Sequence, residues 1–137
     1  MNTPNLQLYI ADDNEGFAEF CSTVAAKENW LPVSCRDGAE LLDALRSGTG
    51  PALVICDLNM PNLDGVQVAQ ALPEIQRNLR VRFITGGDQS FALAAHMISK
   101  INDMKAGRYL VKPISVSKLR EVLAFERDEI RKFDTRS

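Results

Sequence analysis

The most informative run in this 137-residue sequence is ALVICD, at residues 52–57. Its first five residues are all apolar, and the run ends abruptly at Asp57. A short, continuously apolar segment is typical of a central strand that helices cover on both faces. The run therefore predicts a buried strand with a carboxylate at its carboxyl end.

Four other strands and five helices are predicted around this run. Short β-prone segments predict strands at 6–10, 30–35, 81–85 and 108–111. Apolar side chains at helical spacing follow each strand; Asp37 caps the second helix, and the last begins at Ser115. Pro73 lacks an N–H group and should end the third helix near Leu72. This alternation predicts an open, doubly wound α/β fold with five parallel strands.

Composition excludes several classes of protein. With 45% hydrophobic and 25% charged residues, we expect a single globular domain over residues 1–137 with no attached output domain. A net charge of −2 provides no basic field, so direct nucleic-acid binding is not expected. The sequence shows neither a membrane-spanning segment nor a secretory signal, and we expect a cytoplasmic protein. Cys21, Cys35 and Cys56 match no metal-ligand spacing and are expected to be buried.

Polar side chains occur where the predicted strands end. Asp12 and Asp13 follow the first strand, Asp57 ends the third, Thr85 ends the fourth and Lys112 follows the fifth. Ligands of such sheets bind at the carboxyl ends of the strands, so we expect these five side chains to converge. Three carboxylates at one edge repel one another, and a hard divalent cation such as Mg²⁺ relieves that repulsion. A carboxylate nucleophile beside a lysine and a threonine hydroxyl indicates a phosphoryl pocket.

The order of these motifs resembles the receiver domain of two-component response regulators. The matching residues extend over essentially the whole chain: Asp12-Asp13, DLNMPNLDG at 57–65, Thr85 and YLVKP at 109–113. The resemblance implies a flavodoxin/CheY-like (βα)5 fold with strand order 2-1-3-4-5. It also implies a signalling protein that promotes its own phosphorylation and slow dephosphorylation, rather than an enzyme.

The same resemblance implies a role for each pocket residue. Asp57 would be the phosphoacceptor, and Asp13, Asp57 and the Asn59 backbone carbonyl would hold Mg²⁺, with Asp12 assisting through water. Lys112 would contact the phosphoryl oxygens. The phosphodonor would be a phosphohistidine on a histidine kinase or a histidine phosphotransfer protein.

The resemblance further implies a switch formed by Thr85 and Tyr109. A phosphoryl group adds negative charge and acceptor oxygens, which would draw Thr85 inward and vacate space for the Tyr109 ring. The surface formed by the fourth helix, fifth strand and fifth helix would change shape and bind a downstream protein. A second copy of this chain is the alternative partner for this surface.

Three features depart from the family pattern. Gly86-Gly87 follows Thr85 where a larger side chain is commoner, which predicts a more open pocket mouth. The interval of twenty-seven residues from Thr85 to Lys112 is longer than usual, which predicts a lengthened fourth helix. That helix carries a second apolar row, a candidate docking surface, formed by Leu93, Met97 and Met104. His96 is interpreted as an ordinary surface residue of this helix.

Three other functions remain open. A haloacid-dehalogenase-like phosphatase uses similar groups, but Asn59 stands where that family has a second Asp, and no cap insertion is present. A flavodoxin-like protein would meet repulsion between the FMN phosphate and Asp12-Asp13. A receiver that is never phosphorylated would act as a plain binding module. The presence of Asp13, Asp57, Thr85 and Lys112 together argues against this alternative.

Overall fold

The computed structural model describes residues 6–58, 65–86 and 106–134. Strands and helices alternate through these ranges. They are β1 (Leu6–Ala11), α1 (Glu15–Lys27), β2 (Trp30–Cys35), α2 (Gly38–Ser47), β3 (Ala52–Asp57), α3 (Gly65–Ala71), a 3-10 turn (Leu72–Glu74), β4 (Leu79–Thr85), β5 (Leu110–Val111) and the C-terminal helix (Val116–Asp134). The helix predicted between the last two strands, which includes His96 and the second apolar row, lies outside the described residues, as does Asn59.

The strands of the described chain form one parallel sheet in the order β2-β1-β3-β4-β5. This result confirms the predicted doubly wound α/β fold and the strand order 2-1-3-4-5. The register pairs Ala11 with Cys56 and Asp57 with Ile84. Because all the strands run in the same direction, their carboxyl ends meet at one edge of the sheet.

The fifth strand is shorter than the sequence predicts. It comprises only Leu110–Val111, which pair with the end of β4. Just upstream, the backbone carbonyl of Arg108 accepts a hydrogen bond of 3.1 Å from the Arg82 side chain. An isolated parallel bridge joins Val81 to Ala106 further upstream, and the residues between that bridge and Leu110 are not in strand conformation. The prediction that Arg108 and Tyr109 belong to the strand is therefore wrong.

Apolar side chains cover both faces of the sheet. Leu53 and Ile55 belong to the cluster beneath α1 and the C-terminal helix, whereas Val54 and Cys56 belong to the cluster beneath α2 and α3. All six residues of β3 are buried, as the apolar run predicts. Each fully buried Leu, Ile or Val contributes roughly 1.5–3 kcal/mol to folding. These two clusters hold the strand that ends in Asp57.

The helix boundaries follow from local chemistry. Asn14 Oδ1 accepts from the Phe17 N–H at 3.0 Å, and Asp37 Oδ1 accepts from the Glu40 N–H at 2.9 Å. Both bonds satisfy N–H groups that the first helical turn cannot pair. Pro73 lies in the 3-10 turn directly after α3, which confirms that it ends the third helix.

A buried ion-pair network joins β4 to the C-terminal helix. Glu126 is fully buried. Its Oε1 lies 2.5 Å from Arg80 Nε, and its Oε2 lies 2.6 Å from Arg82 Nε. Gly107 packs closely against the network, since a Cβ there would lie 2.7 Å from Glu126 Oε2. Sequence reasoning missed this network. The sequence did carry a signal for it: two arginines stand two residues apart in an otherwise apolar strand. Their side chains therefore point to the same face of the sheet, which a helix covers, and two buried positive charges there require a negative partner.

Within the described residues, no helix is both long enough and apolar enough to span a bilayer.

Candidate functional site

The carboxyl edge of the sheet gathers the polar residues that the sequence predicts there. Asp12 follows β1, Asp57 ends β3, Thr85 ends β4 and Lys112 follows β5. The Lys112 N–H donates to the Thr85 carbonyl at 2.8 Å, which ties the last two strand ends together. The parallel topology thus forms one pocket from residues that are far apart in the sequence.

Three carboxylates lie together in this pocket. One oxygen each from Asp12, Asp13 and Asp57 lies within 4.8 Å of the other two. Asp12 and Asp57 are buried, with 2% and 6% of their surface exposed, whereas Asp13 is exposed. Like charges at this spacing repel one another, and the repulsion is screened least where the groups are buried. The structure therefore brings together the three carboxylates that the sequence places at strand ends.

Lys112 supplies positive charge to the pocket. Its Nζ lies 2.8 Å from Asp12 Oδ2 and 3.9 Å from Asp57 Oδ2. Asp12 Oδ2 is buried yet accepts no aligned hydrogen bond, so its contact with the ammonium is ionic but poorly directed. A buried carboxylate oxygen in this state favours a further cationic partner.

The loop after β1 fixes one carboxylate relative to the start of α1. The Asn14 N–H donates to Asp12 Oδ1 at 2.8 Å, and the Asn14 side chain caps the Phe17 N–H. This turn presents the Phe17 ring to the pocket, where Lys112 Nζ lies 4.5 Å from the ring centroid. Sequence reasoning missed Phe17 as a pocket residue because its helical spacing also suits an ordinary core position.

Thr85 and Tyr109 share one face of the sheet. Thr85 is fully buried and lies two residues beyond Phe83 on β4, so both side chains are on the same side. Tyr109 is half-buried and packs against the cluster that contains Phe83. The two predicted switch residues are thus placed on the side of α2 and α3.

Gly86 lies at the mouth of the pocket and is exposed. A Cβ built there would lie 3.7 Å from Lys112 Cδ, which is ordinary van der Waals contact. The close approach of backbone and lysine therefore does not require glycine at this position. Gly87 lies outside the described residues, so the wider opening expected from Gly86-Gly87 stays a prediction.

Burial keeps the protons on the cysteine thiols near the pocket. Burial raises the pKa of Cys21 to about 12, and the charge of Asp12 adds to the effect. Burial also raises the pKa of Cys56, which precedes Asp57, and raises the pKa of Cys35 to about 11. All three thiols are therefore protonated at neutral pH. They are buried and free of disulfides, as predicted.

Sequence comparison identifies relatives along most of the chain. Sporulation initiation phosphotransferase F of Bacillus subtilis is 24% identical over 119 residues, which cover 87% of this chain and 91% of the relative. The positive alginate biosynthesis regulatory protein of Pseudomonas aeruginosa is 38% identical over 96 residues. That match covers 68% of this chain but only 34% of the longer relative.

Solved structures share the fold. The signal receiver domain of a putative Luxo repressor protein from Vibrio parahaemolyticus has a TM-score of 0.81 at 20% identity, with 96% of each chain covered. The response regulator protein TrrA from Thermotoga maritima, solved in complex with Mg²⁺-BeF, has a TM-score of 0.71 at 20% identity. The match covers 87% of this chain and 96% of TrrA. Residues 8–124 match the response regulator receiver domain, and the chain belongs to that family.

Proposed function

We propose that Asp57 accepts a phosphoryl group in a two-component phosphorelay, with residues 1–137 acting as one receiver domain. Receiver domains are signalling proteins, and the curated relatives include a phosphotransferase and several regulators. The observation that carries the proposal is the position of Asp57, a buried carboxylate with two other carboxylates within 4.8 Å and Lys112 Nζ at 3.9 Å. In this proposal one small pocket supplies the nucleophile, the cation site and the counter-charge.

The donor in this proposal is a phosphohistidine on a histidine kinase or a histidine phosphotransfer protein. One oxygen of Asp57 attacks phosphorus and forms a P–O bond while the P–N bond to the imidazole breaks. The electron pair of that bond stays on the imidazole nitrogen, which takes up a proton. Hydrolysis of the acyl phosphate later returns Asp57 and inorganic phosphate. Catalysis of this kind depends on placement and on charge stabilisation.

The pocket fits a bound Mg²⁺. Its donors are hard carboxylate oxygens, and one of them, Asp12 Oδ2, is buried without an aligned hydrogen bond. In the proposal Asp13 and Asp57 hold the ion with the Asn59 carbonyl, and Asp12 acts through water. The ion would neutralise charge that develops on the phosphoryl oxygens. Receiver domains bind Mg²⁺ at their acidic pocket, and TrrA was solved with Mg²⁺-BeF.

Lys112 and Thr85 complete the phosphoryl site in this proposal. The Lys112 ammonium has to move little to reach an oxygen bonded to Asp57, given its present distance of 3.9 Å. Thr85 would donate its hydroxyl hydrogen to a phosphoryl oxygen. Since Thr85 and Tyr109 share one face of the sheet, movement of Thr85 would make room for the Tyr109 ring. The surface of β5 and its flanking helices would then bind a downstream protein or a second copy.

The test is phosphorylation by acetyl phosphate, a small donor that needs no docking surface. The protein is incubated with this donor and Mg²⁺, and its intact mass is measured over time. We expect the mass of one phosphoryl group to be added, and we expect no addition in Asp57→Asn or with EDTA. A protein that binds Mg²⁺ but gains no mass would instead be a binding module. Turnover of phosphate esters by the parent protein would indicate a phosphatase.

A further inference from the structure

The Lys112 ammonium has two kinds of partner in the pocket. On one side it meets Asp12 Oδ2 at 2.8 Å and Asp57 Oδ2 at 3.9 Å. On the other it lies over the aromatic ring of Phe17, with Nζ 4.5 Å from the ring centroid. That distance is within the range in which a cation is attracted to the face of a ring.

The carboxylate partners alone leave Lys112 poorly placed for phosphoryl chemistry. Its nearer partner is Asp12, which is not the nucleophile, and the lysine side chain is 23% exposed on a flexible four-carbon stem. A cation bound by the carboxylates would weaken their hold on the ammonium. The ammonium would then be free to turn towards solvent unless a third group retained it.

The Phe17 ring meets this need. Its π face attracts the ammonium electrostatically but offers no oxygen that would compete with a phosphoryl group for the N–H bonds. The ring is also well anchored, since its backbone N–H is capped by Asn14 and its side chain packs against the apolar cluster. The neighbouring Phe20 ring lies 6.3 Å from it, centroid to centroid.

We propose that Phe17 is a positioning residue that holds the Lys112 ammonium at the mouth of the pocket, in reach of a phosphoryl group on Asp57. This inference rests on the proposed function. The matched variants are Phe17→Leu, which keeps apolar bulk without the ring, and Phe17→Tyr, which keeps the ring. Phe125→Leu is the control, because it makes the same change at a half-exposed ring of the C-terminal helix whose cationic neighbour is Arg82 rather than Lys112.

The first measurement does not depend on phosphorylation. Protons on the ε-carbon of Lys112 that lie over a ring face experience a ring-current shift, which is read in ¹H–¹³C NMR spectra. We expect an upfield shift in the parent, in Phe17→Tyr and in Phe125→Leu, and its loss in Phe17→Leu. Absence of the shift in the parent, or its persistence in Phe17→Leu, overturns the inference.

The second measurement is the rate of phosphorylation by acetyl phosphate with Mg²⁺. We expect Phe17→Leu to be roughly two- to fivefold slower, as loss of an exposed cation–π contact implies, and Phe17→Tyr to recover the parent rate. In a Lys112→Ala background Phe17→Leu should have no further effect. An equal slowing in that background would show that Phe17 acts on stability or packing instead, and would overturn the inference.

The two measurements separate the inference from the function on which it rests. If the parent protein is not phosphorylated, the proposed function fails. The NMR shift then still decides whether Phe17 holds Lys112.

Discussion

Replacing Asp57 with Asn should stabilise the protein when no divalent cation is present. Asp57 is buried and shares the pocket with Asp12 and Asp13, so its negative charge raises the free energy of the folded state. Asn preserves the shape of the side chain and removes the charge. A functional carboxylate at this position is thus expected to reduce stability.

The pocket distances set the size of the effect. At an effective dielectric constant of about 20, two like charges 4.8 Å apart repel by about 3.5 kcal/mol. Opposite charges 3.9 Å apart, as for Lys112 Nζ and Asp57 Oδ2, attract by about 4.3 kcal/mol. Taken together, the repulsions from Asp12 and Asp13 and the attraction to Lys112 leave about 2.7 kcal/mol of net repulsion. With the dielectric constant of water the same distances give about 0.7 kcal/mol, so we expect a gain of about 1–3 kcal/mol.

Urea unfolding measures this gain, because the single tryptophan, Trp30, is 2% exposed and reports on unfolding by its fluorescence. Experiments are run in EDTA and in Mg²⁺. At a concentration of 100 times the dissociation constant, Mg²⁺ should stabilise the parent by about 2.7 kcal/mol. Asp57→Asn, which lacks one charged ligand, should gain less at the same concentration.

The control is Asp43→Asn on the exposed surface of α2, where we expect a change within about 0.5 kcal/mol in either buffer. Two results would refute the reasoning. One is a loss of stability on Asp57→Asn in EDTA. The other is equal stabilisation of the parent and Asp57→Asn by Mg²⁺, since the ion would then be bound elsewhere.

Three further predictions concern stability. Glu126→Gln leaves two buried arginines without their carboxylate and should cost about 3–5 kcal/mol in urea unfolding, whereas a cost below 1 kcal/mol would contradict a buried network. Arg77 donates five hydrogen bonds to β1 side chains and to backbone carbonyls at the end of α2 and in the loop before β3. Arg77→Ala should therefore lower the free energy of unfolding by about 2–3 kcal/mol in the same assay. Burial raises the pKa of Cys35 from 9.0 to about 11, so only the unfolded chain loses this proton between those pH values. Stability should therefore fall as pH rises through that window, less steeply in Cys35→Ala, and equal slopes would count against a buried protonated thiol.

Topology and the pocket were predictable because they follow from local patterns. The apolar run at 52–57 predicts a central strand, and a parallel sheet brings strand ends together wherever they occur in the chain. Convergence of Asp12, Asp57 and Lys112 therefore needed no knowledge of individual contacts.

The buried network and the length of β5 were not predictable in the same way. Glu126 is 46 positions from Arg80 and 44 from Arg82, and no local pattern specifies that pairing. β5 begins two residues later than the sequence predicts, where the Arg108 carbonyl accepts from the Arg82 side chain, 26 positions away in the sequence. The contact between Phe17 and Lys112 is a third case, since it depends on where two loops meet.

The most direct test of the central claim locates the phosphoryl group. The protein is treated with acetyl phosphate and Mg²⁺, its acyl phosphate is reduced with borohydride, and the peptides are mapped by mass spectrometry. Reduction of an aspartyl phosphate converts that residue to homoserine. The account predicts homoserine at position 57 and at no other position. Modification of a different residue, or an unaltered Asp57 in protein that had gained a phosphoryl group, would contradict it.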